Sequence, residues 1–208
     1  DAAFWTSLWI TVKYVFLSVI FINAIAFCLA YLLTSGIKGQ NFLRAGFFTP
    51  NLIGGIVLGY IWQFIFSRVL VDLNSILNLP IFAKSWLSSP HGAFAAMVIV
   101  TTWQYSGYML LIYISGFVSV PQDLIEAAKI DGAGPVRAFF SITLPYMLFV
   151  TGPYLITTFT GNVNNFNVIY LLTGGNPTPV GSTAGRTDLL VTWLYKLTVD
   201  NQYYNLGA

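Results

Sequence analysis

Tyr14 to Ile37 and Gly92 to Val120 each pass without a single charged side chain. Each run exceeds the about 20 apolar residues that carry an α-helix across a bilayer. In lipid, every backbone N–H and C=O must be satisfied within the segment, which leaves a helix as the solution for runs of this length. The expected fold class is therefore all-α, a polytopic transmembrane helical bundle. Composition agrees. Only 8% of residues are charged and 17% are aromatic, with a mean hydropathy of +0.72, against about 25% charged in soluble domains. A net charge of +2 gives no footing for nucleic acid. The one cysteine, Cys28, excludes an internal disulfide, and His91 is the one histidine, so no metal-ligand set is present in the sequence.

The spacing predicts four spans. The first runs over about Trp9–Leu33, with Lys13 near its end, where a long side chain can snorkel to the interface. The second covers Ala45 to Ser67, with Gly55 and Gly59 on one face, a pattern that permits close helix contact in lipid. Arg68 to Pro90 reads as a surface loop. The third span is Gly92 to Val120. The fourth is Tyr146 to about Leu172, broken by Gly152-Pro153. Thr173–Arg186, rich in Gly, Pro and Thr, reads as an extended loop, and Leu189 to Lys196 as a short apolar helix. No Asp or Glu falls within any of these spans. Asp1 stands where a Met would open a chain, and Leu206-Gly207-Ala208 reads as the start of another span. Residues 1–208 are therefore expected to be one membrane domain lacking its last span.

The stretch 119–145 breaks the apolar pattern. It carries Asp123, Glu126, Lys129, Asp131 and Arg137. Ser119 with Gln122 three residues on has the form of a capping box, and Pro121 suits a first turn. Asp123 and Glu126 lie toward the positive end of the helix dipole. Gly132 fits the left-handed position after a helix end, and Gly134-Pro135 starts a second helix. Ala127 and Ala128 keep the first helix thin enough for a groove on a partner, with Glu126 and Asp131 as charged contacts. The plainer alternative is an amphipathic helix lying in the interface.

Polar residues inside spans are costly and turn toward a cavity or another helix. Thr158, Gly161, Asn162 and Asn165 share one helical face by spacing. In the third span Gln104, Tyr105 and Tyr108 cluster beside Gly107. Amides, hydroxyls and rings without charge suit a neutral polyol; they equally suit hydrogen bonds between helices or an aromatic belt.

The run E-A-A-K-I-D-G-A-G-P, with I-T-L-P starting ten residues after Gly132, resembles the binding-protein-dependent ABC permease family, of MetI-like fold. The matching positions are Glu126, Ala127, Ala128, Gly132, Ile142, Leu144 and Pro145. N-N-F-N-V-I-Y-L-L-T-G-G-N-P and T-D-L-L-V-T-W-L-Y-K are similar to the maltose/maltodextrin branch of that family. The resemblance implies a multi-pass subunit of the cell membrane that performs no covalent chemistry. Its loop 119–145 would be a cytoplasmic coupling helix, docking on a separate ATPase dimer through Glu126, Ala127, Ala128, Asp131 and Gly132. It further implies sugar contacts at Gln104, Tyr105, Tyr108, Thr158, Gly161, Asn162 and Asn165, with no cofactor or metal on this chain and ATP on the partner. A second permease subunit and an extracellular sugar-binding protein, the latter meeting Thr173–Tyr204, complete the implied assembly, surrounded by membrane lipid. With the loop cytoplasmic, Lys38, Arg44, Lys129 and Arg137 lie inside on short loops, as the positive-inside tendency allows. The rival readings are an ABC permease for another neutral or phosphorylated polyol, an ion-coupled secondary sugar transporter, which calls for an intramembrane carboxylate, and a membrane scaffold, which leaves the loop unexplained.

Overall fold

The structure, a computed structural model, describes residues 2–207. Among them there is no strand. The helices are α1 (Ala2–Thr34), α2 (Gln40–Leu52), α3 (Gly55–Phe64), α4 (Leu70–Leu77), α5 (Pro90–Val118), α6 (Gln122–Ile130), α7 (Pro135–Ala138), α8 (Leu144–Val163), α9 (Asn167–Thr173), α10 (Leu190–Tyr195) and α11 (Tyr204–Gly207). Single π-helical turns at Ile65–Val69, Phe139–Thr143 and Lys196–Asp200 continue α3, α7 and α10. Four stretches are long and apolar enough to cross a membrane: Ala2–Thr34, Gly55–Ile76, Pro90–Val118 and Pro135–Thr173.

Three expected boundaries move. α1 begins at Ala2, well before Trp9, so Lys13 lies inside the helix and its ammonium stands 5.0 Å from the centre of the Trp9 ring. The second span does not run from Ala45 to Ser67. The chain leaves the helix at Ile53-Gly54, where Gly54 is extended (φ −59°, ψ 137°). It then stays helical past Arg68 to Leu77, so the first part of the expected Arg68–Pro90 loop is helix. Asp72 consequently sits within a membrane-length helix, which the reading of spans free of Asp and Glu did not foresee. In the fourth span Gly152-Pro153 does not interrupt α8. Proline is tolerated in membrane helices where neighbouring groups satisfy the freed carbonyl. The interruption falls instead at residues 164–166, among the asparagines.

The chain forms two compact units. One comprises Asp1–Ile20, Ile53–Thr102 and Gly161–Ala208; the other comprises Phe21–Leu52 and Trp103–Thr160. In the first, Tyr14, Leu58, Met97, Val100, Ile169, Leu172 and Leu189 build the core. Gly55 and Gly59 let α9 press onto α3: a Cβ at Gly59 would stand 2.6 Å from Leu171 Cβ. In the second, Ile22, Ala26, Ala30 and Leu33, spaced three or four apart on α1, meet Met109, Leu110, Tyr113 and Ile114 of α5 and Met147 of α8. Tyr113 donates to Asn23 Oδ1 at 2.7 Å. Both interiors mix small and hydroxyl-bearing residues with apolar ones, as membrane helices do when packing replaces the hydrophobic effect. Phe16, Phe21, Tyr31, Phe64 and Phe149 point outward.

Gly107 carries a constraint the sequence reading missed. The backbone of Phe47 and Phe48 on α2 lies where its side chain would be. Gly107→Val is expected to push α2 away at a cost of about 1–3 kcal/mol, read as a lower melting temperature of the purified protein. An unchanged melting temperature would show that this contact is not needed.

Candidate functional site

The loop after α5 is a helix, a closed turn and a second helix, all within the second unit. Pro121 is the N-cap of α6 and makes no side-chain cap. The expected capping box is absent: Ser119 donates its hydroxyl back to Gly116 C=O at 2.8 Å, closing α5 instead. Asp123 stands in the first turn of α6 and Lys129 in its last, each matched to the helix dipole. At the other end, Gly132 N–H donates to Lys129 C=O (3.1 Å) and Ala133 N–H to Ala128 C=O (2.9 Å). Gly132 has φ +75°. This is the Schellman closure, which satisfies the last carbonyls and calls for glycine. Gly134 then caps α7 with Pro135 in its first turn.

Ala128 and Ala138 are buried, each 8% exposed, and are the inward positions of this pair of helices. Glu126, Ala127, Lys129, Asp131 and Gly132 are exposed. So are the large side chains Ile130 (86%) and Val136 (69%). Exposed apolar groups flanked by charges are the pattern of a surface that meets another molecule.

The polar span residues fall in both units. In the second, Gln104 is 5% exposed and its Oε1 has no hydrogen-bond partner among the described residues. A buried, unpartnered carbonyl is costly and calls for a ligand, water or neighbouring subunit. Tyr105 and Tyr108 are half-buried against this unit's core. Thr158 donates to Tyr154 C=O (2.9 Å) and contacts Met109 Sδ (3.1 Å). In the first unit, Gly161 is exposed, and a Cβ there would meet nothing within 4 Å. Asn162 is buried. Asn165 has left the helix, so the expected four-residue face ends at Asn162. The Asn165 amide donates to Tyr14 Oη at 2.9 Å, and the Tyr14 and Thr101 hydroxyls share a hydrogen bond of 2.7 Å.

Sequence reasoning missed Tyr14 and Thr101, although a Tyr and a Thr-Thr pair inside charge-free runs were a usable signal. It also missed Asp188. That carboxylate is fully buried and accepts from Gly185 N–H (2.7 Å), Thr192 Oγ1 (3.1 Å) and Lys196 Nζ (3.0 Å). Thr187 donates to Asn176 C=O at 2.7 Å, and Arg186 N–H to Pro177 C=O at 2.9 Å. The Gly/Pro-rich segment before α10 is thereby folded back on itself and held.

Several helices long and apolar enough to cross a membrane, joined between α5 and α8 by an exposed charged helix–turn–helix, define a polytopic membrane subunit. The chain belongs to the family of binding-protein-dependent transport system inner membrane components, whose model matches residues 4–199. It is 36% identical over 207 residues to the probable starch degradation products transport system permease protein AmyD of Thermoanaerobacterium thermosulfurigenes, spanning 100% of this chain and 68% of that protein. It is 38% identical over 168 residues to the galactooligosaccharides transport system permease protein GanP of Bacillus subtilis, covering 78% of this chain and 40% of that one. It is 34% identical over 205 residues to the maltose/maltodextrin transport system permease protein MalF of Salmonella typhimurium, covering 95% and 40%. The chain thus spans well under half of the last two. In fold it is similar to a bacterial ABC transporter that imports the acidic polysaccharide alginate, with a TM-score of 0.75 at 18% identity, over 100% of this chain and 72% of that one.

Proposed function

We propose that this chain is a permease subunit of an ATP-driven importer for neutral oligosaccharides of the maltodextrin type. The observation that carries the reading is the exposed α6–Gly132–α7 element, closed by hydrogen bonds at both Gly132 and Ala133. Glu126, Ala127, Asp131 and Gly132 form the coupling face for a cytoplasmic ATPase dimer, which holds and hydrolyses the ATP; Ala128, expected on that face, is turned inward beneath it. Coupling requires an element that makes different contacts in the inward- and outward-facing states, and a short closed helix transmits such a shift without bending. The substrate class is supported by relatives named for starch products, galactooligosaccharides and maltodextrins.

Gln104, Tyr105, Tyr108, Thr158, Gly161 and Asn162 are proposed sugar contacts. Gln104 offers a buried carbonyl and Gly161 open space. Asn165, held by Tyr14, fixes the break that follows α8. A second permease subunit completes the pathway, and an extracellular sugar-binding protein delivers to Thr173–Tyr204. A neighbour in fold was solved with its pentasaccharide-bound periplasmic protein.

The test is ATP hydrolysis by the full-length subunit, reconstituted with a second permease, the ATPase and the binding protein, against neutral sugars, amino acids and glycerol phosphates. Stimulation by maltodextrins alone is expected. Stimulation by another solute only would discard the sugar class, and uptake independent of ATP would discard the importer class. Asn162→Ala is expected to slow sugar uptake several-fold while stimulation by the loaded binding protein persists. Unchanged uptake would remove Asn162 from the site.

A further inference from the structure

The first unit contains a cavity of about 840 Å³ whose wall includes Trp5, Trp9, Lys13, His91, Phe94 and Arg186. Two elements and a loop build it: the first half of α1, the first turn of α5 and the segment before α10. Among the described residues, no carboxylate lines it. Among the described residues, the only ion pair is Lys196–Asp188, so neither Lys13 nor Arg186 is paired with a described carboxylate. Lys13 lies against the Trp9 ring, and Trp5 and Trp9 are 65% and 59% exposed.

The depth of this cavity follows from helix lengths. α1 has 33 residues, about 50 Å at 1.5 Å per residue, against about 30 Å of hydrocarbon. The charge-free run that fills the hydrocarbon begins at Tyr14 in α1 and at Gly92 in α5. Lys13 and His91 immediately precede those two runs. Both therefore stand where acyl chains give way to headgroups, the level at which indole rings collect and lysines snorkel. Pro90 and His91 stand at the start of α5.

We propose that this cavity binds the phosphate of an anionic phospholipid headgroup. Lys13 and Arg186 supply the charge, and guanidinium suits a phosphate fork. His91 supplies an N–H donor in either charge state. The exposed Trp5 and Trp9 faces flank the glycerol and upper acyl chain. A neutral sugar gives no use to two unpaired cations, and a free anion gives no use to the indole wall. The site is separate from the proposed sugar contacts and coupling face, and it does not depend on the transported solute.

The test uses the assembled full-length complex, stripped of lipid in detergent. Phosphatidylglycerol, phosphatidylcholine and inorganic phosphate are added separately, and the melting temperature is followed. Brominated forms of the two lipids report contact by quenching tryptophan emission. Phosphatidylglycerol is expected to raise the melting temperature and to quench at lower mole fraction than phosphatidylcholine. Lys13→Gln with Arg186→Gln is expected to weaken its binding about tenfold or more. Trp5→Phe with Trp9→Phe is expected to remove the selective part of the quenching. Equal effects of the two lipids would overturn the proposal, as would binding unchanged in the Lys13/Arg186 variant. Stabilisation by inorganic phosphate alone would assign the site to a free anion instead. Should the Lys13/Arg186 variant fail to assemble, the comparison of the two brominated lipids on the wild type decides.

Discussion

Gly132→Val is expected to cut coupled ATP hydrolysis and sugar uptake by tenfold or more, while the subunit still inserts and assembles. Gly132 sits at φ +75° with no atom near a would-be Cβ, so the penalty is conformational rather than steric crowding. A β-branched residue in the left-handed region is a true outlier, at a cost of roughly 1–3 kcal/mol. The cheapest escape is to open the turn. That releases the Gly132 and Ala133 hydrogen bonds and swings α7 relative to α6. The lesion is local because the α1–α5–α8 core of the same unit does not include this turn. Hydrolysis by the reconstituted complex, with membrane abundance measured in parallel, checks the expectation. Normal coupling with normal abundance would mean that the α6–α7 geometry is not what the partner reads.

Asp188→Ala is expected to be the most destabilising single change in the first unit. It leaves the Lys196 ammonium, the Gly185 N–H and the Thr192 hydroxyl without their shared acceptor. Removing one partner of a fully buried pair costs about 3–5 kcal/mol; the Lys196 side chain is 17% exposed, which places this change toward the lower end. Asp188→Leu combined with Lys196→Met deletes both charges and is expected to recover most of that loss. Thermal unfolding of the purified wild type, single and double variants measures this directly. A double variant no better than the single would mean that the backbone contact to Gly185, rather than the ion pair, holds the segment.

Helix content and the loop were legible because each rests on a local rule. Charge-free length fixes a span wherever it occurs, and the turn at Gly132 is written in adjacent residues. Breaks were harder. Gly152-Pro153 looks like a stop in any soluble helix, yet α8 continues through it. The actual discontinuity at residues 164–166 depends on Asn165 finding Tyr14, a partner 151 residues away. The end of the second span was misplaced for the opposite reason. Arg68 and Asp72 suggest a loop by their charge, whereas the helix continues through both and carries them on its exposed side. Asp188 was missed although its partners Gly185, Thr192 and Lys196 lie within eight residues of it; what local spacing does not report is that its carboxylate is fully buried. For the polar span residues, spacing reported the shared face but not that the last of them would be engaged by another helix.

The Tyr14–Asn165 and Thr11–Leu190 hydrogen bonds, which close over 151 and 179 residues, also bear on how the protein is made. At about 5–20 residues per second, α1 waits on the order of ten to thirty seconds in or beside the membrane before either partner is synthesised. During that interval Ser7, Thr11 and Ser18, all buried in the finished protein, have their own helix carbonyls or passing lipid headgroups to satisfy them, while Tyr14 gains Thr101 first. Among these helices, α1 therefore leans longest on the insertion machinery, and residues 165 and 190, made much later, release it.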